Sequence, residues 1–431
     1  MKRGKFLWQD GLGALQWFVF LLANAMALPI VIGEIFQLQT TDVAGLMQRT
    51  FFVVGITSFL QGWIGHRLPI ADGPAGIWLG VFVIMGEMAV RQGSDLTLTL
   101  QSLQGGMLVT AGILIFLGVL GWIQKFLRFF TPLVTGTYLL LLAIQLSGVF
   151  LKGMLGIEGE SLSIHPGAAL VGLGVFLLVL GVSAWGRGWI KSYAVLIGLV
   201  LGWILYEGFG LRETAAISQS GSFLPEVFAW GMPQWDLGMA LSGVLVAMIL
   251  ISNTVGSLTA VGEVLRPGSS LDKQALNRGG WMGGIANALS AIFSTVGMVP
   301  LSVSAGLIRL TGQKRMRPFL IACLLFTGMA LIPPIIRFLA TVPGPVAYAV
   351  LFASFAQLIG IGLQTILRDK LDERRLTILG VTLMVGVGTM FLPVELFSTL
   401  PSVVQSIASN GLLLGTLVAV TLEQIWVTKR A

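Results

Sequence analysis

The chain has 431 residues, of which 55% are hydrophobic and only 10% are charged, and its mean hydropathy is +0.89. A water-soluble protein carries roughly a quarter charged residues, so this composition excludes a soluble globular protein and indicates one that is integral to a lipid bilayer. The net charge of +7 comes without a basic stripe, so we expect no nucleic-acid partner.

Apolar segments of about 17–25 residues follow one another along the chain, which suits helices crossing a hydrocarbon core of about 30 Å. The sequence therefore predicts an all-α integral membrane protein with about 14 transmembrane helices. The predicted spans are 13–33, 43–65, 68–90, 105–122, 131–151, 167–184, 190–207, 239–262, 275–295, 297–312, 317–337, 343–366, 376–392 and 402–427. With both termini in the cytoplasm, most of the 26 lysines and arginines fall in cytoplasmic loops, as the positive-inside rule requires.

A more polar stretch at 208–236 divides the predicted spans into two halves. Residues 1–207 and 237–431 then hold about seven spans each, and an odd number of spans gives the two halves opposite orientations in the membrane. The sequence therefore predicts two inverted repeats joined by an outer connector, an organisation found in many secondary transporters.

A short phrase occurs once in each half, in the third span of each predicted repeat. Residues 68–77 read LPIADGPAGI, and residues 299–307 read VPLSVSAGL. Proline and glycine at this density break a helix, and a broken backbone at membrane depth is tolerated only where protein or a water-filled cavity satisfies its polar groups. We therefore expect broken helices at spans 3 and 10, beside a shared binding site. The alternative is that these residues only kink packed helices.

Each broken span would resume as a helix near the membrane midplane, with free N–H groups for a small polar or anionic ligand. Gly76, Ser302 and Ser304 are small enough to let a ligand reach the backbone there. The span map also places the carboxylate of Asp72 near the midplane, where an ionisable group is a functional candidate. Asp72 would either carry a coupling proton or cap the helix that follows it.

Few polar side chains lie deep in the predicted spans. Asn24 lies in span 1, and Asn253 lies in span 8 with Ser257 one turn away. A buried amide both donates and accepts hydrogen bonds, so these residues would suit a ligand edge that presents both. Hydrogen bonding between helices is the alternative.

Residues that build metal sites and catalytic centres are scarce. The chain has one cysteine, Cys323, and its two histidines, His66 and His165, are far apart in sequence. We therefore expect no metal site, no cofactor and no catalytic residues.

Five stretches resemble the nucleobase–ascorbate transporter family, the permeases for uracil, xanthine and related bases. They read QWFVFLLANAMALP in span 1, LPIADGPAG in span 3, TPLVTGTYLLLLAIQLSG in span 5, NTVGS in span 8 and GGIANALSAIFSTVGMVPLSVSAGLIRLTGQKR in spans 9 and 10. Their shared order over nearly the whole chain makes the resemblance specific.

The family motif in span 10 runs Gln or Glu, Asn, any residue, Gly, four residues, Thr, then a basic residue or Gly. This chain matches it at Gly306 and Thr311. Val303 stands where the family has Gln or Glu, and Ser304 stands where it has Asn. Asn253 stands where the family usually has a base-binding Glu, and an amide cannot take up a proton.

The resemblance implies a secondary active transporter in the plasma membrane that takes up a purine or pyrimidine base by alternating access. The residues it implies for base binding are Asn24, Gly76, Asn253, Ser257, Ser302, Val303 and Ser304. The coupling ion would be H⁺ or Na⁺, with Asp72 as the candidate proton carrier, and the resemblance allows a homodimer.

Two other functions stay open on sequence grounds. An anion transporter or exchanger of the same architecture, for sulfate or a carboxylate, would also suit two facing helix N-termini. A membrane enzyme or a scaffold without cargo is the other class. An enzyme would bring clustered acidic, His or Cys groups, which the predicted spans lack, so we expect a transporter and not an enzyme. A scaffold would show no ligand-dependent stabilisation.

Overall fold

The computed structural model of the protein describes residues 2–127, 131–157, 164–211, 222–268, 272–397, 400, 404 and 408–426. The first half forms helices α1 (Lys2–Ala25), α2 (Ala27–Ile35), α3 (Thr40–Trp63), α4 (Gly76–Gln92), α5 (Leu96–Val119), α6 (Ile123–Leu127), α7 (Pro132–Met154), α8 (Pro166–Trp185), α9 (Trp189–Ser192) and α10 (Ala194–Gly208). Strand β1 (Asp72–Pro74) lies between α3 and α4.

The second half also forms helices, with one short strand among them. It forms α11 (Leu237–Leu265), α12 (Lys273–Ile292), strand β2 (Met298–Pro300), α13 (Ser304–Thr311), α14 (Met316–Ala330), α15 (Pro333–Leu339), α16 (Gly344–Ile366), α17 (Glu373–Met390), a 3-10 helix (Val394–Phe397) and α18 (Gly411–Ile425). Predicted span 402–427 lies partly outside the described residues, as does part of the predicted connector 208–236.

Seven helices in the described ranges are long and apolar enough to cross a membrane. They are Asp10–Ile35, which joins α1 and α2, together with α3, α5, α7, α8, α11 and α16. Helices α14 and α15 make an eighth if they count as one span, although they are bent by 90°. A membrane protein with several spans is therefore supported, whereas the larger number of about 14 stays a prediction.

Helix ends follow the local capping chemistry. The Asp95 carboxylate accepts a hydrogen bond from the Thr97 N–H at 2.7 Å, so α5 begins at Leu96 and not at the predicted residue 105. Thr131 caps α7, which has a proline in its first turn. Gly93, with a φ of 63°, ends α4 in the left-handed conformation that favours glycine.

The two repeated phrases meet in space as a two-stranded antiparallel sheet. Asp72 lies opposite Pro300, and Pro74 lies opposite Met298. The pairing continues at both ends, because the Ala75 N–H donates to the Gly297 carbonyl and the Leu301 N–H donates to the Ala71 carbonyl, each at 2.8 Å. Both strands are fully buried. These extended backbones therefore satisfy each other's hydrogen bonds in the interior, as backbone at membrane depth must.

Small residues let neighbouring helices approach closely. A β-carbon added at Gly136 of α7 would lie 2.6 Å from the carbonyl oxygen of Gly362 on α16. A larger side chain at Gly136 would therefore push the two helices apart. The sheet itself contacts α1, α3, α11 and α12. The residues predicted to bind a ligand are thus carried by elements that surround the paired strands.

Candidate functional site

Two predicted site residues hold the strand pair in place. The Ser257 hydroxyl on α11 donates to the Pro300 carbonyl at 2.6 Å, and the Ser304 hydroxyl at the start of α13 accepts from the Ala71 N–H at 3.1 Å. Ser257 is 2% exposed and Ser304 is 0% exposed. Both hydroxyls are therefore bonded to the ends of the paired strands in the interior.

The other predicted residues at the second break lie at the surface of this region. Ser302 is exposed, and Val303 is 50% exposed. Val303 is the N-cap of α13 and gives that helix no side-chain capping bond. A ligand beside these residues would meet backbone, the Ser302 hydroxyl and the apolar side chain of Val303.

Asn253 is the amide best placed to accept a ligand. It lies half-buried on α11, one turn before Ser257, and its side chain forms no hydrogen bond with any described residue. Its neighbour Ser252 shares a hydrogen bond with Thr135 of α7, with 3.0 Å between the two hydroxyl oxygens. The residue before Asn253 thus contacts α7, while the Asn253 amide itself keeps both a donor and an acceptor for a ligand.

The Asn24 side chain already forms a hydrogen bond within its own helix. Its side-chain Nδ2 donates to the Phe20 carbonyl at 2.8 Å, four residues earlier in α1. The side chain is half-buried, so what Asn24 can still offer a ligand is chiefly its carbonyl oxygen.

Gly76 starts α4 and faces an aromatic ring that the sequence did not point to. The Cζ atom of Phe355, on α16, lies 3.6 Å from the position that a Gly76 β-carbon would occupy. Phe355 is 9% exposed and packs edge-on against Phe150, with ring centroids 4.9 Å apart. The N-cap of α4 is Ala75, which supplies no side-chain cap, so the first N–H groups of this helix have no side-chain acceptor at the N-cap.

Asp72 is buried inside β1 and does not cap α4. Its backbone N–H donates to the Ser58 hydroxyl at 2.8 Å, and the residue is 1% exposed. Neither carboxylate oxygen accepts a well-formed hydrogen bond from the described residues, although the Thr57 hydroxyl lies close enough to interact. The capping interpretation of Asp72 is therefore wrong, because the strand carries the carboxylate away from the first turn of α4.

Asn287 is a central residue that sequence reasoning missed. Its Oδ1 accepts from the Trp78 indole N–H at 2.9 Å, while its Nδ2 donates to the carbonyls of Gly283 at 2.8 Å and Met298 at 3.1 Å. One fully buried amide thus joins α4, α12 and β2. The available signal was an asparagine inside the glycine-rich stretch GGIANALS of span 9.

In the described part of the chain, no group of three or more His, Cys, Asp and Glu side chains could hold a metal ion. The arrangement instead combines paired strands, two helix starts without side-chain caps, a free amide and an aromatic ring. These groups can bind a small, flat polar molecule without reacting with it.

The sequence profile of the Permease family matches residues 9–395. A Bacillus subtilis protein named as a purine permease, YwdJ, is 33% identical over 426 residues, covering 97% of this chain and 96% of that protein. The uric acid permease PucK and the xanthine permease of the same organism are each 24% identical and cover 96% of this chain, and 95% and 92% of their own lengths.

Solved structures share the fold at low sequence identity. The transmembrane domain of the cyanobacterial bicarbonate transporter BicA superimposes with a TM-score of 0.63 at 15% identity, covering 96% of this chain and 97% of that domain. SLC26A9 superimposes with a TM-score of 0.65 at 12% identity, covering 98% of this chain and 66% of that one. The matched profile and relatives are permeases and not enzymes, as expected. This chain belongs to the nucleobase–ascorbate family of membrane permeases.

Proposed function

We propose that this chain is a secondary active transporter that takes up a purine or pyrimidine base across the plasma membrane. The observation that carries the proposal is the 33% identity, over nearly the full length of both chains, with a protein named as a purine permease. Relatives named as uric acid and xanthine permeases support the same class of cargo. We place both termini in the cytoplasm, because most basic residues lie in cytoplasmic loops when the chain has this orientation.

The proposed architecture has about 14 spans in two inverted repeats, 1–207 and 237–431, joined by the outer connector 208–236. In it, spans 3 and 10 are each broken into a short strand and a helix, and the pairing of β1 with β2 supports this arrangement. The same family resemblance allows a homodimer.

The proposed base site lies at the start of α4 and α13, facing α11. The Asn253 amide would pair with an edge of the base that presents both a donor and an acceptor. Backbone at Gly76, Ser302 and Val303 would contribute further polar contacts, with Asn24 nearby on α1. The ring of Phe355 would give the flat base a face to stack on. Ser257 and Ser304 would act by holding the strand ends beneath the base.

Transport would proceed by movement of a core (α1–α5 and α11–α15) against a gate (α7–α10 and α16–α18). The base site belongs to the core, and Phe355 belongs to the gate. Across this boundary the Phe355 ring lies 3.6 Å from the position that a Gly76 β-carbon would occupy, and the hydroxyls of Ser252 and Thr135 share a hydrogen bond. Movement between the two bodies would therefore open and close the base site. Coupling would use H⁺ carried by Asp72, or else Na⁺.

Anion transport is the competing function, because the structural neighbours include a bicarbonate transporter. That likeness is at 15% identity and concerns the fold, whereas the full-length relatives are named for bases. The amide of Asn253 also suits a neutral ligand with donors and acceptors better than it suits sulfate or a carboxylate, which present only acceptors.

The deciding experiment is uptake of labelled uracil, xanthine, uric acid, hypoxanthine, guanine and adenine by cells that lack their own base permeases, with and without a protonophore. Bicarbonate and sulfate are included as anions. We expect saturable uptake of at least one base, and loss of that uptake with protonophore would indicate proton coupling. Uptake of an anion but of no base, by protein shown to be in the membrane, would replace the proposal with its competitor.

A further inference from the structure

A cavity with a volume of about 430 Å³ is lined by residues other than those of the proposed base site. It lies between the segment after α3, the last turns of α11, the start of α12 and the segment before α14. None of the proposed base-site residues lines it. Its volume is within the range of about 300–1,000 Å³ that is usual for small-molecule sites.

The lining of this cavity is rich in basic side chains. It contains Arg67, Arg266, Arg278 and Lys314 but only two acidic residues, Glu263 and Asp272. Four positive charges against two negative charges create a positive local potential inside a concave surface, which concentrates anions. In the proposed orientation this end of the molecule faces the cytoplasm.

Both acidic side chains are already engaged in local contacts. The two carboxylate oxygens of Glu263 each lie 3.3 Å from the Gly268 N–H. Asp272 caps α12 by accepting from the Gln274 N–H at 2.9 Å, and its other oxygen lies 3.9 Å from Nη2 of Arg278. Neither Arg67 nor Lys314 forms an ion pair with a described residue. With both carboxylates charged, the lining still has more positive than negative side chains.

Arg67 has an unusual backbone conformation in the cavity wall. Its φ of 58° is in the left-handed region, which residues other than glycine rarely adopt. Its N–H donates to the Gln61 carbonyl at 3.1 Å, which helps to hold the turn after α3. Strained positions of this kind cluster at ligand sites, and here the strained turn presents an exposed guanidinium at the cavity.

His66, the next residue in the wall, is held neutral as a hydrogen-bond donor. Burial lowers its pKa to about 3, and its Nδ1 accepts from the Leu68 N–H at 3.1 Å. The proton of the neutral ring is then on Nε2, which has no acceptor among the described residues. His66 therefore adds no charge to the wall that it shares with Arg67 and Lys314.

We propose that this cavity binds a phosphate-bearing anion, with Arg67 and Lys314 as its charged ligands. The planar guanidinium of Arg67 can bind two phosphate oxygens at once, and Lys314 provides a second charge. The phosphate could belong to a soluble compound of nucleotide size or to the headgroup of an anionic phospholipid. The inference does not depend on which molecule the protein transports.

The test uses the purified full-length protein in nanodiscs of phosphatidylcholine alone or with phosphatidylglycerol. Binding of adenosine 5′-monophosphate and of inorganic pyrophosphate is measured by calorimetry and by the shift in Tm, with uncharged adenosine as the comparison. The variant Arg67→Gln/Lys314→Gln removes the two charges. The control Lys273→Gln makes the same change at an exposed lysine that does not line the cavity.

We expect one of the phosphate probes, or phosphatidylglycerol, to raise the Tm where adenosine does not. The double variant should weaken that binding by about tenfold for each charge removed, while Lys273→Gln leaves it unchanged. A soluble source is indicated if the nucleotide binds in phosphatidylcholine, and a lipid source if only phosphatidylglycerol stabilises. The proposal is overturned if neither the phosphate probes nor phosphatidylglycerol stabilise the protein, or if the double variant binds as well as the wild type. Base uptake is measured separately, so this outcome leaves the proposed transport function untouched.

Discussion

Asn253 combines partial burial with a side chain that has no hydrogen-bond partner among the described residues. If it binds the base through one donated and one accepted bond, Asn253→Ala should reduce uptake by about a hundredfold, at about tenfold per bond. Uptake is compared at equal amounts of membrane-inserted protein. Thr259→Ala serves as the control, because that hydroxyl is exposed on the same helix and donates to its own backbone at 2.7 Å. Unchanged uptake by Asn253→Ala would remove this residue from the site.

Also at the residue scale, a substitution of Asp72 tests whether this residue couples transport to protons. Its carboxylate is buried without a basic partner in the described chain, and an intramembrane acid in such a place is a candidate proton carrier. Asp72→Asn should therefore leave downhill uptake in place but abolish its sensitivity to a protonophore. Asp95→Asn is the matched control, since Asn caps a helix as well as Asp does. If the Asp72 variant still accumulates base against a gradient, Asp72 is not the carrier.

At the scale of elements, the site depends on how tightly β2 packs against its neighbours. A β-carbon at Gly297, just before β2, would overlap the Trp78 indole and the Asn287 side chain. Gly297→Ala should therefore displace the hydrogen bond between these residues and lower stability by about 1–3 kcal/mol. The measurement is thermal unfolding of the purified protein.

Gly306→Ala provides the comparison for this prediction. Gly306 lies within α13, and a β-carbon there would meet no atom within 4 Å. This variant should be neutral or slightly stabilising, because Ala favours a helix over Gly. Equal Tm values for the two variants would show that β2 is less tightly enclosed than the structure indicates.

Some elements were predictable from local patterns and others were not. Spans 13–33 and 343–366 are confirmed by Asp10–Ile35 and Gly344–Ile366, because a long apolar run specifies its own helix. Within predicted span 297–312, by contrast, the helix is only Ser304–Thr311 and follows a strand. Breaking residues reveal where a helix stops, but a strand is stabilised only by a partner elsewhere in the chain.

At the scale of the whole molecule, a cross-link between residues 252 and 135 tests whether the core and the gate move relative to each other. The hydroxyl oxygens of Ser252 and Thr135 are 3.0 Å apart, so cysteines at these positions should form a disulfide on oxidation. If transport requires the two bodies to separate, the oxidised double variant Ser252→Cys/Thr135→Cys should lose uptake and regain it on reduction. The native cysteine, Cys323, is buried and should not compete.

Each single cysteine variant is the control for the double variant. Single variants should transport equally before and after oxidation, since neither can form the cross-link. If the double variant is shown to be cross-linked and still has full uptake, α7 and α11 stay together throughout transport. The boundary between core and gate would then have to lie elsewhere.

The sequence by itself determined the membrane class, the apolar spans, the two proline- and glycine-rich breaks and the family, because each of these is a property of local composition or of motif order. Only the tertiary structure decided that the two breaks pair as strands, with Asp72 opposite Pro300. It also decided that Ser257 is bonded to the Pro300 carbonyl while Asn253, one turn earlier, is left free. The physical reason is that such roles depend on contacts between residues far apart in sequence, and on which face of a helix packs against them.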